Sequence, residues 1–313
     1  MNEFSLIQQY FNVIKHHRHD VVFGIGDDAA CLDVPHDMSL LVSTDTLVSG
    51  VHFLMDWDAY DIASRAVRVT VSDMAAMAAT PCWMTLALTM PVLDEPWLQR
   101  FSQGLQDTLS EYHIALVGGD TTRGPMAMTL TVHGFAPRGQ AVRRSGAKVG
   151  DFIVVSGALG TAAFALNILH DKQVGASDRA VLMRHLLHPQ PRIDLIGVLR
   201  DAASAAIDIS DGLSADLSHI LDASQVGACL TLESIPVHPL VQRYQPEKAL
   251  DLALNGGDDY ELCFTVPPAA FQALNMSGLN MYCIGIIEFP LGLRAKTIQG
   301  DIVSLPSRGY SHF

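Results

Sequence analysis

Short acidic clusters, bracketed by glycine or hydroxyl residues, follow several of the apolar segments of this chain. Nine aspartates stand in six such clusters, with no basic residue beside any of them. The clusters are Gly24–Asp28, Ser43–Thr46, Ser72–Asp73, Gly118–Thr122, Asp208–Gly212 and Gly256–Asp259. Open α/β sheets bind their ligands outside the ends of apolar strands, where such turns would lie. The pattern therefore favours a mixed α/β (α+β) fold whose carboxylates project into a cleft.

Taken one at a time, each cluster is most simply explained as a helix cap or an Asx turn. Asp211, for example, could cap a helix that begins at Leu213. All six together are poorly explained in this way, because neighbouring carboxylates repel one another unless cations neutralise them. Mg²⁺ takes oxygen ligands and commonly bridges a few carboxylates to substrate phosphates. The clusters therefore indicate a nucleotide-dependent phosphoryl transfer.

Length and composition limit the classes of protein to consider. The chain has 313 residues, of which 49% are hydrophobic and 17% charged, so it can fill two domain cores. Its formal charge of −13 argues against binding to nucleic acid or to anionic membrane. Its five cysteines form no C-x-x-C pair, and no apolar stretch is long enough for a membrane span. We therefore expect a soluble, cytoplasmic protein with reduced thiols.

Strand-like and helix-like segments alternate in both halves of the chain. The pattern predicts a helix over 58–79 and short strands over 40–42 and 114–117 that end at acidic clusters. Between 137 and 150 the composition turns basic and glycine-rich. We therefore predict an N-terminal domain over 1–137, a linker over 138–150 and a C-terminal domain over 151–313.

A nucleotide site here has to depend on metal ions, because the familiar phosphate-binding loops are absent. The sequence has no G-x-x-x-x-G-K-[ST] loop, no dinucleotide-binding glycine pattern and only five lysines. The basic residues Arg143, Arg144 and Lys148 could reach nucleotide phosphates, or they could line a solvated loop. Their sequence favours neither interpretation.

The motifs, in their order and spacing, resemble those of the thiamine-monophosphate kinases along nearly the whole chain. The residues that carry the resemblance are Glu3–Ile7, Gly24–Ala30, Ser43–Val48, Ser72–Met77, Gly118–Pro125, Arg144–Lys148, Asp208–Leu213, Gly257–Leu262 and Gly309–Tyr310. Many relatives carry Glu at the position of Asp258, so the side chain here is one methylene shorter.

The resemblance implies a role for each matching residue. It implies Mg²⁺ ligands at Asp28, Thr44, Asp45, Asp73, Asp120, Asp208 and Asp211. It implies ATP contacts at Gly119, Asp120, Arg144 and Ser210. It implies thiamine monophosphate contacts at His52, Asp258 and Tyr310.

The family is similar to aminoimidazole ribonucleotide synthetase, selenophosphate synthetase and a hydrogenase-maturation dehydratase. The resemblance implies an N-terminal α/β domain whose sheets pair across a homodimer into a β-barrel, and a C-terminal α/β domain. The acidic residues would then form two half-sites, one over residues 27–120 and one over 208–211, which a bridging Mg–ATP would join.

The implied reaction is the transfer of a phosphoryl group from ATP to thiamine monophosphate, which gives thiamine diphosphate. A substrate phosphate is already ionised near neutral pH, so we expect direct in-line attack without a covalent nucleophile or an essential base. Another ATP-dependent enzyme of the superfamily is an alternative. A selenophosphate synthetase would carry a reactive Cys near its N-terminus, and the first 30 residues here contain none. A non-catalytic nucleotide or divalent-ion sensor is a second alternative.

Overall fold

The computed structural model describes residues 3–14, 18–169, 174–275 and 279–312. The chain divides into two compact units, each with its own sheet. One unit comprises Met1–Met74 and Ala79–Gln140, and the other comprises Ala75–Ala78 and Ala141–Phe313. The main division thus falls within the basic segment 138–150. In the described part of the chain, no helix is long and apolar enough to cross a bilayer.

The first unit contains a four-stranded mixed sheet. Its elements are α1 (Glu3–Leu6), a π-helical stretch (Ile7–Phe11), β1 (Val21–Phe23), β2 (Cys31–Leu32), β3 (Met38–Val48), α2 (Ala59–Ala76), β4 (Thr80–Met90), α3 (Glu95–Glu111), β5 (Ala115–Arg123) and β6 (Ala127–Pro137). The strand order is β3-β6-β4-β5, with β4 and β5 parallel and the other neighbours antiparallel. β1 and β2 form a separate two-stranded sheet.

Helix α2 covers one face of this sheet, and α3 packs against α2. A Cβ on Gly134 of β6 would lie 2.6 Å from the Met74 sulfur of α2. A Cβ on Gly104 of α3 would lie 2.3 Å from the Tyr60 carbonyl oxygen, so only glycine lets the two helices approach this closely. On β6 every second side chain points toward the covered face, at Met128, Leu130 and Val132.

The second unit contains a seven-stranded sheet. Its elements are β7 (Phe152–Val155), α4 (Thr161–Asn167), α5 (Ala176–Leu187), α6 (Ile196–Ala202), β8 (Ala205–Asp208), α7 (Leu213–Ser224), β9 (Gly227–Thr231), α8 (Pro239–Tyr244), α9 (Ala249–Asn255), β10 (Leu262–Val266), α10 (Pro268–Asn275), β11 (Tyr282–Glu288), β12 (Gly292–Lys296) and β13 (Ile302–Ser304). The strand order is β13-β12-β9-β11-β7-β10-β8, and only the β9–β12 pair is parallel.

Both faces of this sheet are covered, which explains why its central strands are apolar without alternation. Ile153 and Ile207 belong to the core formed with α7, and Val154 and Ala206 belong to the core formed with α6. All five residues of β10 are buried. The chain is therefore a mixed α/β protein, as the alternating segments predict.

Two of the acidic clusters lie inside strands, and the prediction that they follow strands is wrong. Ser43–Thr46 lies inside β3, and Gly118–Thr122 lies inside β5, so both strands are much longer than predicted. Ser72–Asp73 lies inside α2, as the predicted helix over 58–79 implies. Gly24–Asp28, Ser210–Gly212 and Gly256–Asp259 do lie on loops or bends outside the named strands and helices.

Candidate functional site

Two carboxylates, Asp45 and Asp73, meet between β3 and α2. Because side chains alternate along a strand, Ser43 and Asp45 point from β3 toward α2. The Ser43 hydroxyl donates a hydrogen bond to the Asp73 carboxylate. The Thr70 side chain, one turn before Asp73, lies beside Asp45, and its hydroxyl donates to the Ala66 carbonyl at 3.0 Å. The sheet and the helix thus bring two acids and two hydroxyls together.

This pair of acids carries more negative charge than its surroundings neutralise. Burial and the nearby Asp73 charge together raise the pKa of Asp45 to about 6, against a smaller opposing effect of Thr70. Two carboxylates that disfavour each other's ionisation in this way form a local environment that a cation would stabilise. The oxygen-only donor set of the four side chains matches the ligands that Mg²⁺ prefers.

Thr44 lies on the opposite face of β3. Its hydroxyl is 2.9 Å from the hydroxyl of Thr131 on β6, and Thr46 makes the same contact with Thr129. The structure therefore brings Ser43, rather than the Thr44 hydroxyl, to the carboxylate pair. Residues 43–46 are all polar and show no apolar alternation, so sequence reasoning ended the strand at Val42, although the β-branched Thr44 and Thr46 favour a strand.

A cavity of about 390 Å³ joins the Gly24–Asp28 loop to the Gly118–Thr121 part of β5. Its polar wall includes Asp28 and Asp120, and its apolar wall includes Phe11 and Leu116. Asp27 and Asp28 are exposed, as are Gly119 and Asp120. The structure thus places three of the predicted metal and ATP residues, Asp28, Gly119 and Asp120, around one cavity.

Gly119 allows β5 to run close beside β4 at this cavity. Its φ of +156° is disfavoured for residues with a side chain, and a Cβ there would lie 1.9 Å from the Leu86 carbonyl oxygen. A glycine pair inside a strand is unusual, which is why sequence reasoning ended the strand at Val117. The close approach of backbone to backbone is the physical reason for glycine here.

His52 follows β3 on a short turn, and its ring is held by the backbone. The Val48 N–H donates to Nδ1 of His52 at 3.0 Å, and the His52 N–H donates to the Val48 carbonyl at 2.9 Å. Because Nδ1 accepts a hydrogen bond, the proton of the neutral ring is assigned to Nε2. The ring can therefore donate a hydrogen bond through Nε2, as a phosphate-binding histidine would.

In the second unit, one buried carboxylate organises the turn Ser210–Gly212. The backbone N–H groups of Ser210, Asp211 and Gly212 donate to the same oxygen of Asp216, at 3.0, 3.0 and 3.1 Å. Asp216 is only 3% exposed, and burial raises its pKa to about 7 against the effect of the three donors. Sequence reasoning missed Asp216, although an acid in the first turn of a helix is the usual signal for such a bond.

Two further segments contact this turn. The Asp258 N–H donates to the Ser210 carbonyl at 2.8 Å, and the Tyr310 N–H donates to the Asp211 carbonyl at 3.0 Å. A Cβ on Gly257 would lie 2.4 Å from the Ser210 oxygen, so this approach also requires glycine. The structure thus brings together four predicted residues of the second unit: Ser210, Asp211, Asp258 and Tyr310.

The neighbouring acid, Asp259, forms hydrogen bonds to the backbone at the start of α4. Its carboxylate accepts hydrogen bonds from the Gly160 and Thr161 N–H groups, at 2.8 and 3.2 Å, where α4 begins. Although part of the residue reaches solvent, its carboxyl group is enclosed, and burial raises its pKa to about 8. Asp258 and Asp259 therefore have different surroundings despite being adjacent.

The raised pKa of Asp259 predicts a pH-dependent stability. Between the ordinary value of 3.8 and about 8, the folded protein retains a proton that the unfolded chain has lost. Stability from this group is therefore fully present below about pH 4 and is lost as the pH rises through about 8. We expect the Asp259→Asn variant to lose less melting temperature than the wild type between about pH 5 and about pH 9. Parallel pH profiles for the two proteins would contradict this assignment.

The two remaining predicted residues of the second unit are Asp208 and Arg144. Asp208 is the last residue of β8, paired with Leu262 and 5% exposed. Arg144 is exposed, and its carbonyl accepts a hydrogen bond from the Ser224 hydroxyl at 3.2 Å.

Within the described ranges, no three His, Cys, Asp or Glu side chains are close enough to hold one metal ion. An ion at Asp45 and Asp73 would need hydroxyl, water or phosphate oxygens as well.

Comparisons with known proteins show which family the chain belongs to. Residues 26–136 match the family model for AIR synthase related protein, N-terminal domain. Thiamine-monophosphate kinase of Escherichia coli K12 is 48% identical to the chain, over 99% of this chain and 98% of that protein.

Solved structures are similar over the same length. The crystal structure of thiamine-monophosphate kinase from Stenotrophomonas maltophilia K279a superposes with a TM-score of 0.87 at 41% identity, and the match covers 94% of this chain and 96% of that one. The complex of AaThiL with AMPPCP and TMP superposes with a TM-score of 0.81 at 30% identity, and the match covers 99% and 97% of the two chains. By sequence and by fold, this chain belongs to the thiamine-monophosphate kinase family.

Proposed function

We propose that the protein transfers the γ-phosphoryl group of ATP to thiamine monophosphate and forms thiamine diphosphate and ADP. The observation that carries the proposal is the 48% identity over nearly the full chain to a thiamine-monophosphate kinase. The AaThiL complex supports the choice of ligands, because that relative binds AMPPCP and TMP. The carboxylate and hydroxyl groups described above supply the kind of site that this reaction needs.

Mg²⁺ is the cofactor that fits these residues best. We propose Asp28, Asp45, Asp73, Asp120, Asp208 and Asp211 as its ligands or near neighbours. Thr44 would join them only through its backbone carbonyl, because its hydroxyl faces Thr131. The electrostatic argument is strongest at Asp45, because burial and the nearby Asp73 charge raise its pKa. Ser43 joins this group through its bond to Asp73. Mg²⁺ bound there would neutralise charge on the transferred phosphoryl group and on the departing ADP.

The remaining residues would bind and orient the two substrates. We propose that Gly119, Asp120, Arg144 and Ser210 contact ATP, Arg144 through its exposed guanidinium. His52 would donate from Nε2 to the phosphate of thiamine monophosphate, because Nδ1 already accepts the Val48 N–H. Asp258 and Tyr310 would contact the thiamine. In this arrangement an oxygen of the substrate phosphate attacks the γ-phosphorus directly, and no protein group forms a covalent intermediate.

The open face of the four-stranded sheet supports a homodimer. On the edge strand β3 the even-numbered residues point away from α2, and Leu40, Val42 and Val48 are 41%, 56% and 36% exposed. Apolar side chains on an uncovered sheet face favour burial against another chain. We propose that two copies pair here into a barrel, and sedimentation at twice the monomer mass is the expected result. A monomer at micromolar concentration would contradict it.

The activity assay compares acceptors side by side. Purified protein is given ATP and Mg²⁺ with thiamine monophosphate, thiamine or an aminoimidazole precursor, and ADP release is measured. We expect rapid release only with thiamine monophosphate. Release with the aminoimidazole precursor alone would favour a purine-ring synthetase, and no release with any acceptor would favour a non-catalytic sensor.

A further inference from the structure

The C-terminal segment Leu305–Tyr310 is attached to the second unit at a few points. Leu305 packs against the α7 core, and its N–H donates to the Leu293 carbonyl at 3.0 Å. The residues from Pro306 to Tyr310 are exposed to solvent. Nevertheless, the Tyr310 N–H reaches the Asp211 carbonyl. The contacts between Leu305 and Tyr310 therefore decide where the tyrosine lies.

One buried hydroxyl makes the contact in the middle of this segment. Ser214, in the first turn of α7, is 2% exposed. Its Oγ accepts the Arg308 N–H at 3.1 Å and lies 2.6 Å from the Arg308 carbonyl oxygen. It also lies 2.8 Å from the Asn255 side-chain oxygen at the end of α9. Since a hydroxyl has one proton, it donates to one of the two oxygens at a time while it accepts the Arg308 N–H.

The adjacent glycine lets the segment lie flat on the turn. A Cβ on Gly309 would be 2.7 Å from the Asp211 carbonyl oxygen and 2.7 Å from the Ala215 side chain. Ser214 and Gly309 therefore act on the same short stretch, one through hydrogen bonds and the other through the absence of a side chain. Both place the Tyr310 backbone against Asp211.

We infer that Ser214 is a positioning residue for thiamine monophosphate, because it fixes Arg308 and thereby Tyr310 beside the Asp211 turn. The inference rests on the proposed function, in which Tyr310 contacts the thiamine. Helix α7 then has two roles. Asp216 accepts the backbone N–H groups of the Ser210–Gly212 turn, whereas Ser214 bonds to the C-terminal segment that lies against this turn. Loss of Ser214 should therefore affect the thiamine substrate and spare ATP.

The first test is tryptic cleavage of the native protein, which does not require activity. Trypsin cleaves after Arg308, and both backbone polar groups of this residue contact Ser214. Loss of a hydrogen bond of this kind changes an equilibrium by roughly tenfold. We therefore expect Ser214→Ala to lose the residues after Arg308 roughly tenfold faster than the wild type, as measured by intact-protein mass.

The matched control is Ser218→Ala, on the same helix. Its hydroxyl bonds only to the Ser214 carbonyl among the contacts described, at 2.6 Å, so this variant also loses a serine hydroxyl bond but leaves Arg308 in place. It should be cleaved at the wild-type rate. Equal cleavage of Ser214→Ala, Ser218→Ala and wild type would overturn the inference.

The second test separates positioning from general damage to the site. In Ser214→Ala we expect the KM for thiamine monophosphate to rise roughly tenfold, while the KM for ATP and kcat stay within about twofold. An equal rise in both KM values would show that Ser214 supports the whole turn and would contradict the assignment.

Gly309→Ala provides an independent variant, because it alters only the exposed segment and leaves α7 intact. It should reproduce both effects of Ser214→Ala, and wild-type behaviour in both tests would overturn the inference. A wild-type protein without thiamine-monophosphate kinase activity would instead refute the proposed function, and the cleavage experiment would still decide whether Ser214 attaches the segment.

Discussion

Gly119→Ala is expected to abolish activity and to lower the free energy of unfolding by about 3 kcal/mol. The new Cβ would overlap the Leu86 carbonyl oxygen at 1.9 Å, and the φ of +156° would add backbone strain. Relief of this overlap requires β5 to move away from β4, which carries Asp120 out of position. Steady-state kinetics and urea unfolding followed by circular dichroism measure the two effects.

The neighbouring glycine provides the control. A Cβ on Gly118 would make only an ordinary contact, 3.8 Å from a methyl group of Thr85. Gly118→Ala should therefore change the free energy of unfolding by less than about 1 kcal/mol. Similar losses in the two variants would show that the close approach at Leu86 is not what requires glycine.

Asp45→Asn is expected to reduce kcat at least about 100-fold while the folded state becomes no less stable. Asn removes a charge from the pair that we assign to Mg²⁺. It also removes the repulsion between Asp45 and Asp73 that, together with burial, raises the pKa of Asp45 to about 6. Activity and stability should therefore change independently, as they do where a functional site holds like charges together.

Asp37→Asn is the matched control, because this acid precedes the same strand, β3, and is almost fully exposed. It should change neither kcat nor melting temperature. A normal kcat in Asp45→Asn would refute the metal-site argument. A large loss of stability would show that the Asp45 charge is needed for folding.

The fold class could be predicted because alternating apolar segments and long amphipathic helices are local signals. The helix Leu213–Ser224 begins at the residue that the sequence suggests, since Gly212 precedes it and its apolar residues recur at helical spacing. The end strands β12 and β13 were missed. β13 is three residues long and exposed throughout, and thus carries no burial pattern.

The chemistry of the acidic clusters was easier to infer than their geometry. Glycine and aspartate usually favour turns, so residues 43–46 and 118–122 were taken to follow strands that in fact contain them. The deciding contacts are distant in sequence: Asp73 with Ser43, and Leu86 with Gly119. Asp216 was missed because it lies outside the acidic clusters, although an acid in the first turn of α7 is a signal for bonds to the preceding backbone N–H groups.

The central claim is a direct transfer of the γ-phosphoryl group from ATP to thiamine monophosphate. The most direct test uses ATP labelled in the γ-phosphate. The reaction is quenched either directly or after a chase with unlabelled ATP, and the mixture is separated into protein, nucleotide and thiamine fractions. We predict that the label appears in thiamine diphosphate at the rate of ADP formation and that none remains on the protein. Label that is held on the protein and then chased into product, or label found only in inorganic phosphate, would contradict the account.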